Sequence, residues 1–435
     1  MKTLVLIAGQ SKRFWPLTEK TLFPLCGTNL LELTTQRLKQ AGCEDIILVG
    51  GAHNLADVAQ HYPAYQTIEQ KDLSLGMRGA LLSALPLCGD DPVLVVCAND
   101  IIDPEGYRSL LVSSLQPSVD GAMLAQRRER YFPGGYLQLE EERITAIMEK
   151  PGAGNEPSDL VNIVAHVHNA PAKLLAALKE APAGTDDGYE QALTNLFGTL
   201  TYRAVPYERY WQAVKYPWHL LELLPHLLGN IGEQSIHSSA VIHPSAVIDG
   251  PVVLGEGVRV FPHATVRGPC YIGPHSIVAN NALVRGSSIG PNCVVGYSTE
   301  VKASIFAEHV WTHSNYIGDS IIGENVSFGA GSITGNLRLD EGEISSVVQG
   351  EKVSTGLHKL GVIVGQGCRF GIHTSVNPGV KVGAGTFVNS GCVLTEDIPD
   401  GRFLSWKDGS LHSTENRASA PLPAERNVYR EGIKG

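Results

Sequence analysis

Beyond residue 230 the apolar positions recur at every sixth residue. Ile236, Ile242, Ile248, Leu254, Val260, Val266, Ile272, Val278 and Val284 follow without interruption, with small, polar or Gly residues filling many of the places between. The phase slips by one at Ile289-Gly290. Hexad-like pieces then resume through Ile322-Gly323, Phe328-Gly329, Val364-Gly365, Phe370-Gly371, Val376, Val382-Gly383 and Val388. A helix repeats its apolar stripe at about 3.6 residues and a half-buried strand at two, so neither yields a six-residue step. That step is the signature of a β-helix, in which each short face contributes one aliphatic side chain to a stacked interior. Gly, Asn and Pro between the hexads suit tight corners. Residues 335–360 lack the period and carry Asp340, Glu341, Glu343, Glu351 and Lys352. They predict a loop ejected from the coil, a usual carrier of substrate contacts.

The first 228 residues follow a different pattern. Thr3–Ile7, Asp45–Val49 and Pro92–Cys97 are short aliphatic runs of strand type, and Leu30–Ala41 has helical spacing. Strands alternating with helices predict a Rossmann-like α/β domain with a mostly parallel sheet. Ligands of such sheets sit beyond the carboxyl ends of the strands, where Gly9 and Asn99-Asp100 emerge. Leu220–Leu228 predicts a closing helix, kinked or restarted at Pro225. The expected organisation is therefore 1–228 as the α/β domain, 235–406 as the coil with loop 335–360, and 407–435 as an extended polar tail.

Composition narrows the function classes. A formal net charge of −10 argues against a nucleic-acid-binding surface. Met1–Ala8 is too short to span a membrane and lacks a cleavage pattern. Cys26, Cys43, Cys88, Cys97, Cys270, Cys293, Cys368 and Cys392 are scattered without metal-type or redox-type pairing. Reduced thiols in a cytoplasmic protein are the expectation.

Two groups of residues carry chemistry. The first runs from Ala8-Gly9-Gln10-Ser11-Lys12-Arg13 to Lys20 and continues with Gln70, Gly76, Asp100, Gly135, Glu149-Lys150-Pro151 and Asn162. This series resembles the sugar-1-phosphate nucleotidyltransferases. The resemblance implies a Gly9 loop around nucleotide phosphates, and Arg13 and Lys20 neutralising the charge that builds up as pyrophosphate leaves. It further implies Gln70 and Gly76 on the nucleobase side, Asp100 as a Mg²⁺ ligand, and Gly135, Glu149 and Asn162 on the sugar side. In-line attack at phosphorus is catalysed mainly by positioning and charge stabilisation, which such a set supplies. Two positions depart from the family pattern. Ser11 stands where a second Gly is usual, and Ala213 stands where the family segment supplies a second metal-binding carboxylate. An active nucleotidyltransferase and an intact fold serving as scaffold or sugar-binding module both remain open.

The second group interrupts the aliphatic hexads: Glu300-Val301-Lys302, Trp311-Thr312-His313-Ser314-Asn315-Tyr316-Ile317-Gly318-Asp319, and Gly329-Ala330-Gly331 leading to Asn336-Leu337-Arg338. It resembles the acetyltransferase half of the bifunctional glucosamine-1-phosphate acetyltransferase/N-acetylglucosamine-1-phosphate uridyltransferase family, which joins both domains in this order. A left-handed parallel β-helix and a homotrimer follow from that resemblance. So does a role for His313 as general base, since imidazole suits proton abstraction at neutral pH. Arg285 and Lys302 match positions that hold the sugar phosphate, Tyr316 one that packs the sugar, and Asn336 one that orients the amine or acetyl group. Ala330 matches the narrow place for the pantetheine arm, and Lys359 a phosphate or coenzyme A contact. Ser327 stands where Asn is frequent, and Asp319 reads as a turn-former.

The implied activity is acetyl-CoA-dependent N-acetylation of a hexosamine 1-phosphate, coupled to nucleotidyl transfer from UTP or a similar nucleoside triphosphate with Mg²⁺. The alternatives are an acetyltransferase alone, or a non-catalytic regulatory protein with a degenerate first domain.

Overall fold

The computed structural model describes residues 1–182 and 187–434. They fall into two compact units, Met1–Gln10 with Leu30–Ala213 and Ser11–Asn29 with Val214–Gly435.

The first unit is built on a nine-stranded sheet. Its strands are β1 (Lys2–Leu6), β2 (Ile46–Gly50), β3 (Gln66–Glu69), β4 (Val93–Cys97), β6 (Gly121–Arg127), β7 (Gly135–Glu140), β8 (Arg143–Glu149), β9 (Leu160–His168) and β10 (Tyr202–Pro206). A separate two-stranded ribbon pairs β5 (Asp100–Ile102) with β11 (Trp211–Ala213). The sheet order is β3-β2-β1-β4-β9-β6-β10-β8-β7. The first four strands in that order are parallel, and the continuous aliphatic runs of β1, β2 and β4 suit strands covered on both faces. The far half is mixed, because β9 runs antiparallel to both β4 and β6. The sequence pattern reached only the parallel half. Leu4, Leu6, Ile47, Val49, Val93 and Val95 form its core with the helices above them.

In the second unit, short strands stack into a three-faced parallel coil. Register partners confirm the hexads: Leu254–Ile272, Val260–Val278 and Val266–Val284 are neighbours 18 residues apart, three hexads per turn. The next rung, Ile272–Ile289, takes 17 residues, which is the phase slip. Leu254, Val260, Val266, Ile272, Val278, Val284, Ile289, Val295, Val301 and Ile317 fill the interior. Ile236, on the terminal turn, remains 42% exposed. The ejected segment folds into its own hairpin, Ser345–Val348 against Glu351–Ser354. The buried Lys381 ammonium donates to Ser346 Oγ (2.7 Å) and the Val347 carbonyl (2.8 Å) of that hairpin.

Three expectations are corrected. Ser11–Asn29 belongs with the coil, because the Trp15 indole donates to Asp400 (3.0 Å) and the Cys26 amide to Ser288 Oγ (2.8 Å). The helix His219–Gly229 continues through Pro225 rather than restarting there. The polar tail is folded: Arg402–Lys407 and Ser410–Glu415 make a hairpin, and Pro423–Gly432 is a helix that returns to the coil. Arg426 anchors this helix. Its guanidinium lies 4.2 Å from the Trp311 ring centroid and donates to the His309 carbonyl, Asn325 Oδ1 and Ser327 Oγ.

Candidate active sites

The alternation of the coil strands builds the first site. Val284, Val301 and Ile317 point inward and are fully buried, so the residues on either side point out. Stacking then forms two outward columns. Arg285 lies beside Lys302, and Lys302 beside Gly318; Glu300 lies beside Tyr316. Gly318 ends the cationic column because a Cβ there would come within 2.6 Å of the Tyr316 hydroxyl. Arg285 Nε and Nη2 both donate to Glu300 Oε1, at 2.8 and 2.6 Å. Lys302 Nζ donates to Asp319 Oδ2 (2.7 Å), and Asn336 Nδ2 donates to the same oxygen and to the Tyr316 hydroxyl (3.2 Å).

The structure thus brings Arg285, Lys302, Tyr316 and Asn336 onto one face. His313 stands at the corner just before Tyr316 and is exposed. Its amide donates to Asn315 Oδ1, while the Asn315 side chain is locked by the Gly329 and Ser332 carbonyls. Ala330 is half-buried beside Gly331, whose φ is +72°. Lys359 is exposed at the base of the ejected loop, where its backbone bridges Leu337. Ser327 is engaged by Arg426.

Two residues of this face were given no part in the site by the sequence reading, which took Asp319 only as a turn-former. Asp319 does turn the chain, with φ +48°, but its carboxylate also ties Lys302 to Asn336. Glu300 orients Arg285. The available signal was spacing: Asp319 directly follows Gly318, the register partner of Lys302 on the next rung.

In the first unit, Gly9 is exposed at the end of β1, with open space around its Cα. Buried Gln70 donates from Nε2 to the Gly76 carbonyl (2.9 Å), so these two are joined. Gly135 and Glu149 are direct partners across β7 and β8, and Glu149 pairs with Lys150 (3.1 Å). Asn162 sits on β9 with its Oδ1 against His166 Nε2 (2.8 Å). Asp100 is buried, and its Oδ1 accepts from the Trp211 indole (2.9 Å). Its register partner in the ribbon is Ala213. The Arg128 guanidinium lies 4.7 Å from the Trp211 ring centroid, and burial pulls its pKa down. Among the described residues no cluster of three His, Cys, Asp or Glu is arranged around a metal position. A single carboxylate fits a Mg²⁺ whose shell is completed by substrate phosphates and water.

Arg13 and Lys20 lie in the segment grouped with the coil; Arg13 is exposed and Lys20 half-buried. Ser11 adopts φ +50°, the left-handed region that favours Gly, and its Oγ accepts from the Lys20 amide (3.3 Å).

A family model described as a MobA-like NTP transferase domain matches residues 3–243, and one described as the GMPPB C-terminal domain matches residues 230–317. The bifunctional protein GlmU of Methanocaldococcus jannaschii is 30% identical over 418 residues, covering 94% of this chain and 98% of that one. This chain belongs to the bifunctional sugar-1-phosphate nucleotidyltransferase/acetyltransferase family. A second relative, the bifunctional sugar-1-phosphate nucleotidylyltransferase/acetyltransferase of Sulfurisphaera tokodaii, is 28% identical over 93% of this chain and 100% of its own. At 93% and 94% of the chain, these alignments extend over both units.

Proposed function

We propose that the chain N-acetylates a hexosamine 1-phosphate with acetyl-CoA and then joins the product to a nucleotide from UTP or a similar triphosphate, giving an NDP-N-acetylhexosamine. The observation that carries this reading is the polar face of the coil, where Arg285 is hydrogen-bonded to Glu300 and, one rung on, Lys302, Asp319, Asn336 and Tyr316 are hydrogen-bonded in a chain. Arg285 and Lys302 hold the sugar phosphate, and Tyr316 packs the sugar. Asn336 orients the amine. His313 takes a proton from that amine as its nitrogen attacks the thioester carbonyl; the C–N bond forms, the C–S bond breaks, and the coenzyme A thiolate is reprotonated. Ala330 lines the path of the pantetheine arm, and Lys359 meets the coenzyme A or sugar phosphate.

In the second step an oxygen of the sugar phosphate attacks the α-phosphorus and pyrophosphate leaves. Gly9, Gln70 and Gly76 bind the nucleotide, and Gly135, Glu149 and Asn162 the sugar. Arg13 and Lys20 balance the charge of the leaving group. Asp100 would hold Mg²⁺, which when bound neutralises charge on the phosphates. Ala213 beside Asp100 favours one specific second reading, an acetyltransferase whose first unit binds sugar nucleotides without transferring them efficiently. The exposed His313 suits a homotrimer in which a neighbouring coil closes the acetyl-CoA groove. A cytoplasmic location accords with eight free cysteines.

His313→Ala tests the assignment. Acetyl transfer should fall by about 100-fold or more, while nucleotidyl transfer to an already acetylated sugar phosphate keeps its rate. Unaltered acetylation would remove His313 from the mechanism.

A further inference from the structure

Behind Asn162 the first unit contains a single file of polar side chains that the proposed reaction does not use. His166 and His168 follow Asn162 along β9, Tyr189 descends from the helix Gly188–Phe197, and Tyr202 lies on β10. All four are at most 1% exposed. The side-chain contacts form a line: Asn162 Oδ1 to His166 Nε2 (2.8 Å), His166 Nδ1 to the Tyr189 hydroxyl (2.7 Å), that hydroxyl to His168 Nε2 (3.0 Å), and His168 Nδ1 to the Tyr202 hydroxyl (2.7 Å). Space for the last ring is made by Gly121, where a Cβ would approach Tyr202 to 2.2 Å.

Such a line has a direction. Burial pushes the pKa of His168 down to about 3 and that of His166 well below its ordinary value, so both rings are neutral. A neutral imidazole donates at one nitrogen and accepts at the other. Among the described residues the Tyr202 hydroxyl has His168 as its hydrogen-bond partner, so its proton goes to His168 Nδ1. His168 Nε2–H then donates to Tyr189, Tyr189 donates to His166 Nδ1, and His166 Nε2–H donates to Asn162 Oδ1. The reverse order would leave the buried Tyr202 proton without an acceptor, which is costly. Asn162 is 8% exposed and its Nδ2 has no hydrogen-bond partner among the described residues, so that end of the amide is left for a ligand.

We propose that His166, Tyr189, His168 and Tyr202 are positioning residues that hold the Asn162 amide with Oδ1 inward and Nδ2 outward, so that the site donates to an oxygen acceptor on the sugar 1-phosphate. This rests on the reading of Asn162 as a sugar-side residue. The line sets which end of the amide the sugar meets, and with it which substituent is recognised.

The direction is measured on the full wild-type chain by ¹⁵N NMR of its histidines, with His166→Gln and His168→Gln used to assign the two signals. Both rings should be Nε2–H tautomers; an Nδ1–H tautomer at either overturns the proposal. The function is measured with a paired substitution. Gln at 166 reproduces the Nε2 donor to Asn162, whereas Asn reproduces only the Nδ1 side. The KM for the sugar 1-phosphate should rise about 10-fold in H166N, the worth of one hydrogen bond, and stay within about 2-fold in H166Q. The KM for the nucleoside triphosphate and the acetyl transfer rate should be unchanged in both. Equal effects of Asn and Gln would make the line merely structural and overturn the proposal. Asn162→Ala separates the two layers: an unchanged sugar KM there removes the sugar-side reading itself, whereas a raised KM there with a normal H166N removes the positioning role alone.

Discussion

Ala213 is the residue that most divides the two halves of the proposed activity. It pairs across the ribbon with Asp100, whose Oδ1 is held by the Trp211 indole. A carboxylate at 213 would therefore stand beside the one already present. Ala213→Asp should raise nucleotidyl transfer at limiting Mg²⁺ by more than about 10-fold, since even the supporting partner of a metal ligand is worth that much. An unchanged Mg²⁺ dependence would show that the missing carboxylate is not what limits the site. At this scale the sequence disclosed which residues carry reactive groups, because Arg285, Lys302, His313 and Asn336 interrupt an otherwise aliphatic repeat. It did not disclose their wiring. Asp319 satisfied the rule for a turn, and nothing local marks that its carboxylate also holds Lys302 and Asn336.

Among the elements, β9 carries an acid liability. Its buried histidines are neutral in the folded state, whereas the unfolded chain protonates histidine below about pH 6.5. The unfolded state then binds more protons, so stability is fully present above that pH and is lost as pH falls below it, for His168 down to about 3, by at most about 1.4 kcal/mol per pH unit for each ring. The urea midpoint of the first unit should drop between pH 6.5 and 5, and the drop should shrink in His168→Gln. A midpoint equally pH-sensitive in both proteins would assign the effect to carboxylates instead. Legibility also varied by element. The coil could be read because one inward residue per six is a long-range, regular constraint. The tail could not be read that way, since its helix is exposed on most sides and fixed by Arg426 and Arg430 rather than by an apolar stripe. Local signals for it were present: Asp408-Gly409 at the hairpin turn, and Pro423 with Glu425, whose carboxylate caps the Leu422 amide (3.0 Å).

For the molecule as a whole, the proposed activity needs two sites with different chemistry on one chain, and the relatives' alignments cover 93% and 94% of that chain. No helix among the described residues is long and apolar enough to cross a membrane. The order of units was legible from the change of period near residue 230. The grouping of Ser11–Asn29 with the coil was not, because it depends on contacts hundreds of residues apart in sequence, such as Trp15 with Asp400. The most direct test of the proposed function is to incubate the chain with acetyl-CoA, a panel of hexosamine 1-phosphates, each nucleoside triphosphate and Mg²⁺, and to weigh the products. The account predicts one sugar phosphate that gains an acetyl group and is then found joined to a nucleoside monophosphate, with pyrophosphate released. Recovery of every hexosamine 1-phosphate unacetylated would contradict it.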